Sequence, residues 1–131
     1  ANLLNEGSDI AIVAAGTCVY ESLRAADVLE KEGISVAVAN MHTLSQSDDA
    51  LLEKLARQCG TIIAVEEHQI KGGLGSAVCE SLSENYPARV RRMGMMMKFG
   101  ESGTGTEVLK KYGLEREGIV KVVREEMARK K

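Results

Sequence analysis

The sequence of 131 residues is poor in aromatic side chains, with one Phe, three Tyr and no Trp. A nucleic-acid-binding module that stacks bases needs aromatic platforms, so this scarcity argues against one. A net charge of −2 with both signs interspersed gives no extended basic surface. No apolar run is long enough to cross a membrane as a helix. We therefore expect neither a nucleic-acid nor a membrane partner.

Cysteine is also scarce. The three cysteines, Cys18, Cys59 and Cys79, are odd in number and widely spaced, which is typical of free thiols in a cytoplasmic protein rather than of a disulfide framework. Cys18 lies near a predicted helix N-terminus, where a thiolate is favoured, but no base is close in sequence. The chain does not begin with Met, and we expect an excised piece of a longer protein or a separate subunit.

What the sequence does contain is an alternation of apolar segments with segments of helical periodicity. Strands are predicted at residues 9–16, 34–40, 61–65 and 88–94, and helices at about 17–33, 48–60, 73–84 and 106–111. Alternating strands and helices give right-handed units and a mainly parallel sheet. The predicted fold is α/β, a three-layer α/β/α sandwich with a sheet of about four to five strands. Its length suits one domain, residues 1–131.

A last helix is predicted near the C-terminus, with four apolar residues on one face. They are Ile119, Val120, Val123 and Met127. The charged pairs Glu125/Arg129 and Glu126/Lys130 have the four-residue spacing of ion pairs on a helix surface. We therefore expect both glutamates to lie on the exposed face of this helix.

The third strand ends abruptly in three polar residues, Glu66, Glu67 and His68. Sites in open α/β sheets gather at the carboxyl ends of strands, so these residues are candidates for an interface. Successive strand residues point to opposite faces, and the three do not automatically converge. His42, after the second strand, is the only other histidine and is a further candidate for this interface. Nothing here has the spacing of metal ligands, and we expect no metal site.

A glycine-rich bend follows, and Gly72, Gly73, Gly75 and Ser76 open the third helix. Backbone N–H groups at a helix N-terminus can hold an anion, which makes these residues candidates for an anion site. The bend matches neither the phosphate-binding loop nor the dinucleotide-binding fingerprint. The alternative interpretation is structural, because glycines allow a tight bend and close packing of helix on sheet.

A series of motifs resembles the C-terminal domain of the transketolase family. The central motif joins Val65–His68 to Gly72–Val78. The others follow the family's order along practically the whole chain. They are Gly7–Gly16, Asn40–Leu44, Phe99–Gly103, Glu107–Leu109 and Tyr112–Leu114. The sequence departs from the family pattern at Ser45–Gln46, where Lys-Pro is usual, and within Met95–Lys98, where an acidic residue is usual.

This resemblance implies a largely non-catalytic structural and dimerisation domain, inactive alone. Thiamine diphosphate and Mg²⁺ would bind between the pyrophosphate- and pyrimidine-binding domains, which are absent from this sequence. The assembled enzyme, expected to be a cytoplasmic homo-oligomer of the pentose phosphate pathway, would transfer a two-carbon ketol unit between sugar phosphates, with the cofactor supplying the chemistry. No residue of this chain is assigned a catalytic, cofactor-binding or metal-binding role.

Two alternatives stay open. The chain resembles the C-terminal domains of 2-oxoacid dehydrogenase β subunits and of deoxyxylulose-phosphate synthases, and the segment Phe99–Gly103 favours transketolase over both. A different class of function is a stand-alone regulatory module that binds a nucleotide or another anion at Gly72–Ser76.

Overall fold

A five-stranded sheet runs through the molecule and is covered by helices on both faces. The structure, a computed structural model, describes residues 2–41, 49–69, 73–95 and 115–130, and only the backbone at 67–69 and 95. Five strands and four helices lie within these residues. They are β1 (Asn2–Asn5), β2 (Ile10–Ala14), α1 (Cys18–Glu30), β3 (Val36–Asn40), α2 (Asp49–Cys59), β4 (Thr61–Gln69), α3 (Leu74–Asn85), β5 (Arg89–Met95) and α4 (Arg116–Lys130).

The strand order is β1-β3-β2-β4-β5. Strands β3, β2, β4 and β5 are parallel to their neighbours, whereas β1 is antiparallel to β3. All five residues of the central strand β2 are buried, because helices cover both of its faces. This confirms the predicted α/β fold with a mainly parallel sheet.

Two apolar clusters form the core, one on each face of the sheet. The first joins α1 and α4 to residues such as Ile12, Val38 and Ile63. The second joins α2 and α3 to residues such as Val13 and Ile62. Neighbouring residues of one strand thus enter opposite clusters, as strand geometry requires.

The edge strand β1 was not predicted. The segment has only four residues, Asn2-Leu3-Leu4-Asn5, and begins and ends with asparagine, so it does not stand out as a strand. Pairing with β3 fixes the segment, and the Asn5 side-chain amide donates to Val36 O at 2.8 Å. Both the predicted helix at 106–111 and the predicted cap Asp48 lie outside the described residues.

Two glycines end helices as predicted from sequence. Gly33 and Gly60 have φ of 84° and 77°, a left-handed conformation that glycine adopts without steric cost. Helix α1 ends at Glu30, three residues before Gly33, and α2 ends at Cys59, directly before Gly60. Thr17 occupies the N-cap position of α1, but its side chain makes no capping hydrogen bond.

The predicted exposed face of the last helix is wrong at one residue. Glu126 is only 2% exposed, and it binds two arginines of β5 rather than Lys130. Arg89 Nε donates to Glu126 Oε1 at 2.6 Å, and Arg91 Nη1 donates to Glu126 Oε2 at 3.2 Å. Hydrogen bonding by Arg89 is the main cause that lowers the pKa of Glu126. These ion pairs explain how a strand rich in arginine packs against α4.

Candidate functional site

The carboxyl edge of the sheet is the edge at which β2 and β3 end beside Val65, while β4 continues to Gln69. Met41 N–H donates to Ala14 O at 2.9 Å, and Ala15 N–H donates to Val65 O at 3.3 Å. Because these parallel strands run in the same direction, the residues that follow Ala14, Asn40 and Val65 share one rim of the molecule. We use the term carboxyl edge for this rim and for the start of α3 beside it.

Only part of the predicted site falls within the described residues. Glu66, Gly73, Gly75 and Ser76 are described in full. Glu67 and His68 belong to β4, but only their backbone is described. His42 and Gly72 lie outside the described residues. The role of these residues in an interface or an anion site therefore stays an untested prediction.

Glu66 is the most unusual residue of the carboxyl edge. Only 6% of its surface is exposed, and its buried Oε1 has no hydrogen-bond partner among the described residues. Ile62 and Ala64, which precede it on β4 at alternate positions, belong to the core beneath α2 and α3. The alternation of strand side chains places Glu66 on that same face.

The pairing of β4 with β5 changes directly after Val65. Regular pairs run from Thr61 and Arg89 to Val65 and Met93, and the next pair joins Gln69 to Met95. Strand β4 thus advances four residues while β5 advances two. Such irregularities bend a strand and turn its side chains away from the regular pleat. Glu66 is the first residue of this irregular section.

Gly75 lies in the first turn of α3 and is buried against β5. A Cβ atom at this position would come within 2.7 Å of Arg92 Cγ and 2.9 Å of Arg92 Cδ, closer than carbon atoms approach one another. The predicted close approach at Gly75 is present, and the neighbouring group is the aliphatic stem of Arg92. This contact gives Gly75 a structural role, and the anion-binding alternative for the bend stays an untested prediction.

A second hydrogen-bond acceptor without a partner was not identified by the sequence analysis. Asn40 Oδ1 at the end of β3 is buried and makes no hydrogen bond to the described residues. Val36 and Val38, at alternate positions of the same strand, belong to the core beneath α1 and α4. By this alternation, Asn40 and Glu66 lie on opposite faces of the sheet.

The cysteines offer no exposed nucleophile. Cys18 is fully buried, Cys59 is 3% exposed, and Cys79 is half-buried; all three are free thiols. Burial is the main cause that raises the pKa of the Cys59 thiol, and its Sγ donates to Gly7 O at 3.6 Å. The thiolate chemistry that a helix N-terminus would favour at Cys18 is thus closed off by packing.

Within residues 2–41, 49–69, 73–95 and 115–130, no three His, Cys, Asp or Glu side chains are grouped to hold a metal ion. A cleft of about 440 Å³ lies elsewhere, between β1, β3 and α2, with Lys54 and Gln58 in its wall. Across these same ranges no helix has the length and hydropathy to span a bilayer.

Comparison with known proteins places these features in a family. The family described as "Transketolase, C-terminal domain" matches residues 1–119. The chain is 39% identical over 130 residues to the 6-deoxy-6-sulfo-D-fructose transketolase subunit SqwH of Clostridium sp. (strain MSTE9). It is 43% identical over 122 residues to the 1-deoxy-D-xylulose-5-phosphate synthase of Syntrophotalea carbinolica (strain DSM 2380 / NBRC 103641 / GraBd1).

A solved structure is also similar to this chain. A split-gene transketolase described as an inactive β4 tetramer superposes with a TM-score of 0.88 at 43% identity, and the match covers 97% of this chain and 42% of that one. The sequence matches cover 99% and 92% of this chain, but only 40% of the transketolase subunit and 19% of the synthase. The chain thus spans less than half the length of these relatives, which include transketolase subunits as well as a deoxyxylulose-phosphate synthase. By the match over residues 1–119, the chain belongs to the transketolase C-terminal domain family.

Proposed function

We propose that this chain is the assembly domain of a thiamine-diphosphate-dependent transketolase. It binds the pyrophosphate- and pyrimidine-binding domains and contributes to a homo-oligomer, and the assembled enzyme transfers a two-carbon ketol unit between sugar phosphates. The pentose phosphate pathway is the metabolic setting we propose. The observation that carries the proposal is the close likeness to a split-gene transketolase subunit, of which this chain spans 42%.

The contribution of this chain is positional rather than chemical. Thiamine diphosphate, when bound to the other domains, supplies the carbanion chemistry. The described residues of this chain form a sheet with both faces buried and a carboxyl edge with two unpaired acceptors, Asn40 Oδ1 and Glu66 Oε1. Their groups suit binding and orientation of a neighbouring domain. The three free cysteines support a reducing compartment, and we propose the cytoplasm.

A second candidate is the same assembly role in a deoxyxylulose-phosphate synthase. The 43% identity to such a synthase favours it as much as the subunit match favours transketolase. The two candidates differ in product, since a synthase forms 1-deoxy-D-xylulose 5-phosphate. Assay of the reconstituted enzyme for ketol transfer between sugar phosphates and for this product separates them.

The test is reconstitution. The purified chain is titrated calorimetrically with thiamine diphosphate and Mg²⁺, and then with a polypeptide that carries the pyrophosphate- and pyrimidine-binding domains of the same organism. We expect no cofactor binding by the chain alone, saturable binding to the other domains, and ketol transfer only by the mixture. Tight cofactor binding by the isolated chain, or failure of the chain to bind the other domains, would contradict the proposal.

A further inference from the structure

The carboxylate of Glu66 is buried without a complete set of hydrogen-bond partners. Only 6% of the residue's surface is exposed to solvent, and its Oε1 accepts no hydrogen bond from the described residues. A buried polar atom without a partner loses its hydration and gains nothing in return, and the loss is larger for an ionised group. Buried charges in native proteins are therefore paired, almost without exception.

No basic residue of the described ranges supplies the missing partner. The ion pairs formed within these ranges leave Glu66 out. The basic residue that lies on the same face of the adjacent strand is Arg92, which is paired in register with Ala64. The stem of Arg92 lies against Gly75 in the first turn of α3. Arg92 therefore contacts α3 and forms no ion pair with Glu66.

The position of Glu66 indicates where a partner would come from. It follows the last regular pair of β4 and lies at the carboxyl edge, the part of an α/β domain that other groups approach. The transketolase relatives are more than twice as long as this chain, since the chain spans 40% and 42% of them. A large part of the enzyme thus lies outside the residues described here and is available to close this edge.

We infer that Glu66 is an anchor for assembly, and that its free oxygen accepts a hydrogen bond from a lysine or arginine of the polypeptide that carries the pyrophosphate- and pyrimidine-binding domains. The inference rests on the proposed function and names one contact in it. A cationic donor is specified because a neutral donor would satisfy the oxygen but leave the buried negative charge without a counter-ion. Glu66 is a positioning residue in this account and takes no part in the chemistry.

The test uses four versions of the chain: wild type, Glu66→Gln, Glu66→Leu and the control Glu125→Gln. Glu125 is a half-exposed carboxylate on α4 that pairs with Arg91, so its substitution removes the same charge away from the carboxyl edge. Each version is titrated with the polypeptide that carries the pyrophosphate- and pyrimidine-binding domains. We expect the Kd to rise at least thirtyfold for Glu66→Gln, mainly through faster dissociation, and about twofold or less for Glu125→Gln.

Each outcome has a distinct meaning. Equal affinity of wild type, Glu66→Gln and Glu66→Leu would overturn the anchor and leave the proposed function intact. Failure of wild type to bind at all would refute the proposed function, and the anchor with it. If Glu66→Gln binds as wild type but Glu66→Leu binds weakly, the donor is neutral and the cationic contact is wrong.

Urea unfolding of the isolated versions completes the test. The anchor requires that Glu66→Gln unfold at the same urea concentration as wild type or at a higher one, because no described residue binds Glu66 Oε1. A clearly lower midpoint for Glu66→Gln would show that the chain itself supplies the donor, and it would overturn the inference even if binding were weakened.

Discussion

Glu126 and Glu66 are both buried carboxylates, with 2% and 6% of their surfaces exposed, but their surroundings differ completely. Arg89 and Arg91 of β5 surround Glu126 and bind both of its oxygens. Glu66 has an oxygen that no described residue binds. On the β5–α4 side of the sheet, the described residues thus bind both oxygens of Glu126, whereas at the carboxyl edge they leave one oxygen of Glu66 unbound.

The largest loss of stability is expected at Glu126, because both of its oxygens are bound by arginines. In the isolated chain, Glu126→Gln removes charge-assisted hydrogen bonds and should lower the free energy of unfolding by about 2–3 kcal/mol. The loss is smaller than for a fully buried ion pair, because the side chains of Arg89 and Arg91 are 40% and 37% exposed and can rehydrate. Urea unfolding measures the change. Glu117→Gln, which breaks an exposed pair with Arg116 on the same helix, should leave the midpoint unchanged.

Packing at the carboxyl edge gives the next effect. Gly75→Val should destabilise the chain by about 2 kcal/mol, because the new side chain overlaps the stem of Arg92. Ser83→Val, on the exposed surface of the same helix, corrects for the low helix propensity of valine. Removal of the neighbour in Gly75→Val/Arg92→Ala should restore part of the loss in thermal unfolding. An unchanged melting temperature in Gly75→Val alone would refute the close approach.

Acid should weaken the ion pairs of Glu126 selectively. Because Arg89 holds the pKa of Glu126 below its ordinary value, the stabilisation is present above the pKa of the unfolded chain, about 4.3. It is lost as the pH falls from there through the lowered pKa of the folded state. The difference in unfolding free energy between wild type and Glu126→Gln should therefore be constant from pH 7 to about 5 and shrink below it. A difference that grows in acid would contradict this assignment.

The sequence was sufficient for features that depend on local pattern. The apolar runs at 9–16, 34–40 and 61–65 identify β2, β3 and β4 because strands covered on both faces exclude polar side chains. Gly60 ends α2 as predicted because the chain needs a left-handed residue there. The segment Asn2–Asn5 has only four residues, two of them asparagine, and carries no such signal. It forms β1 through its pairing with β3.

The roles of the two carboxylates depend on distant residues, and the sequence did not reveal them. Position 126 follows Val123 by three residues and Ile119 by seven, which places it on the buried face of α4, and this spacing was a usable signal. The partners Arg89 and Arg91 are 37 and 35 residues away, and only the fold brings them together. For Glu66, the strand pattern predicts a polar strand end, but burial without a partner is a property of the folded chain.

The central claim is that the described residues bind both oxygens of Glu126 but leave one oxygen of Glu66 unbound. The most direct test is urea unfolding of Glu66→Met, with Glu126→Met as its matched partner. Methionine has a similar length and no polar atom that requires a hydrogen bond. We predict that Glu66→Met unfolds at an equal or higher urea concentration than wild type, while Glu126→Met unfolds at a lower one. A decrease for Glu66→Met as large as that for Glu126→Met would contradict the account.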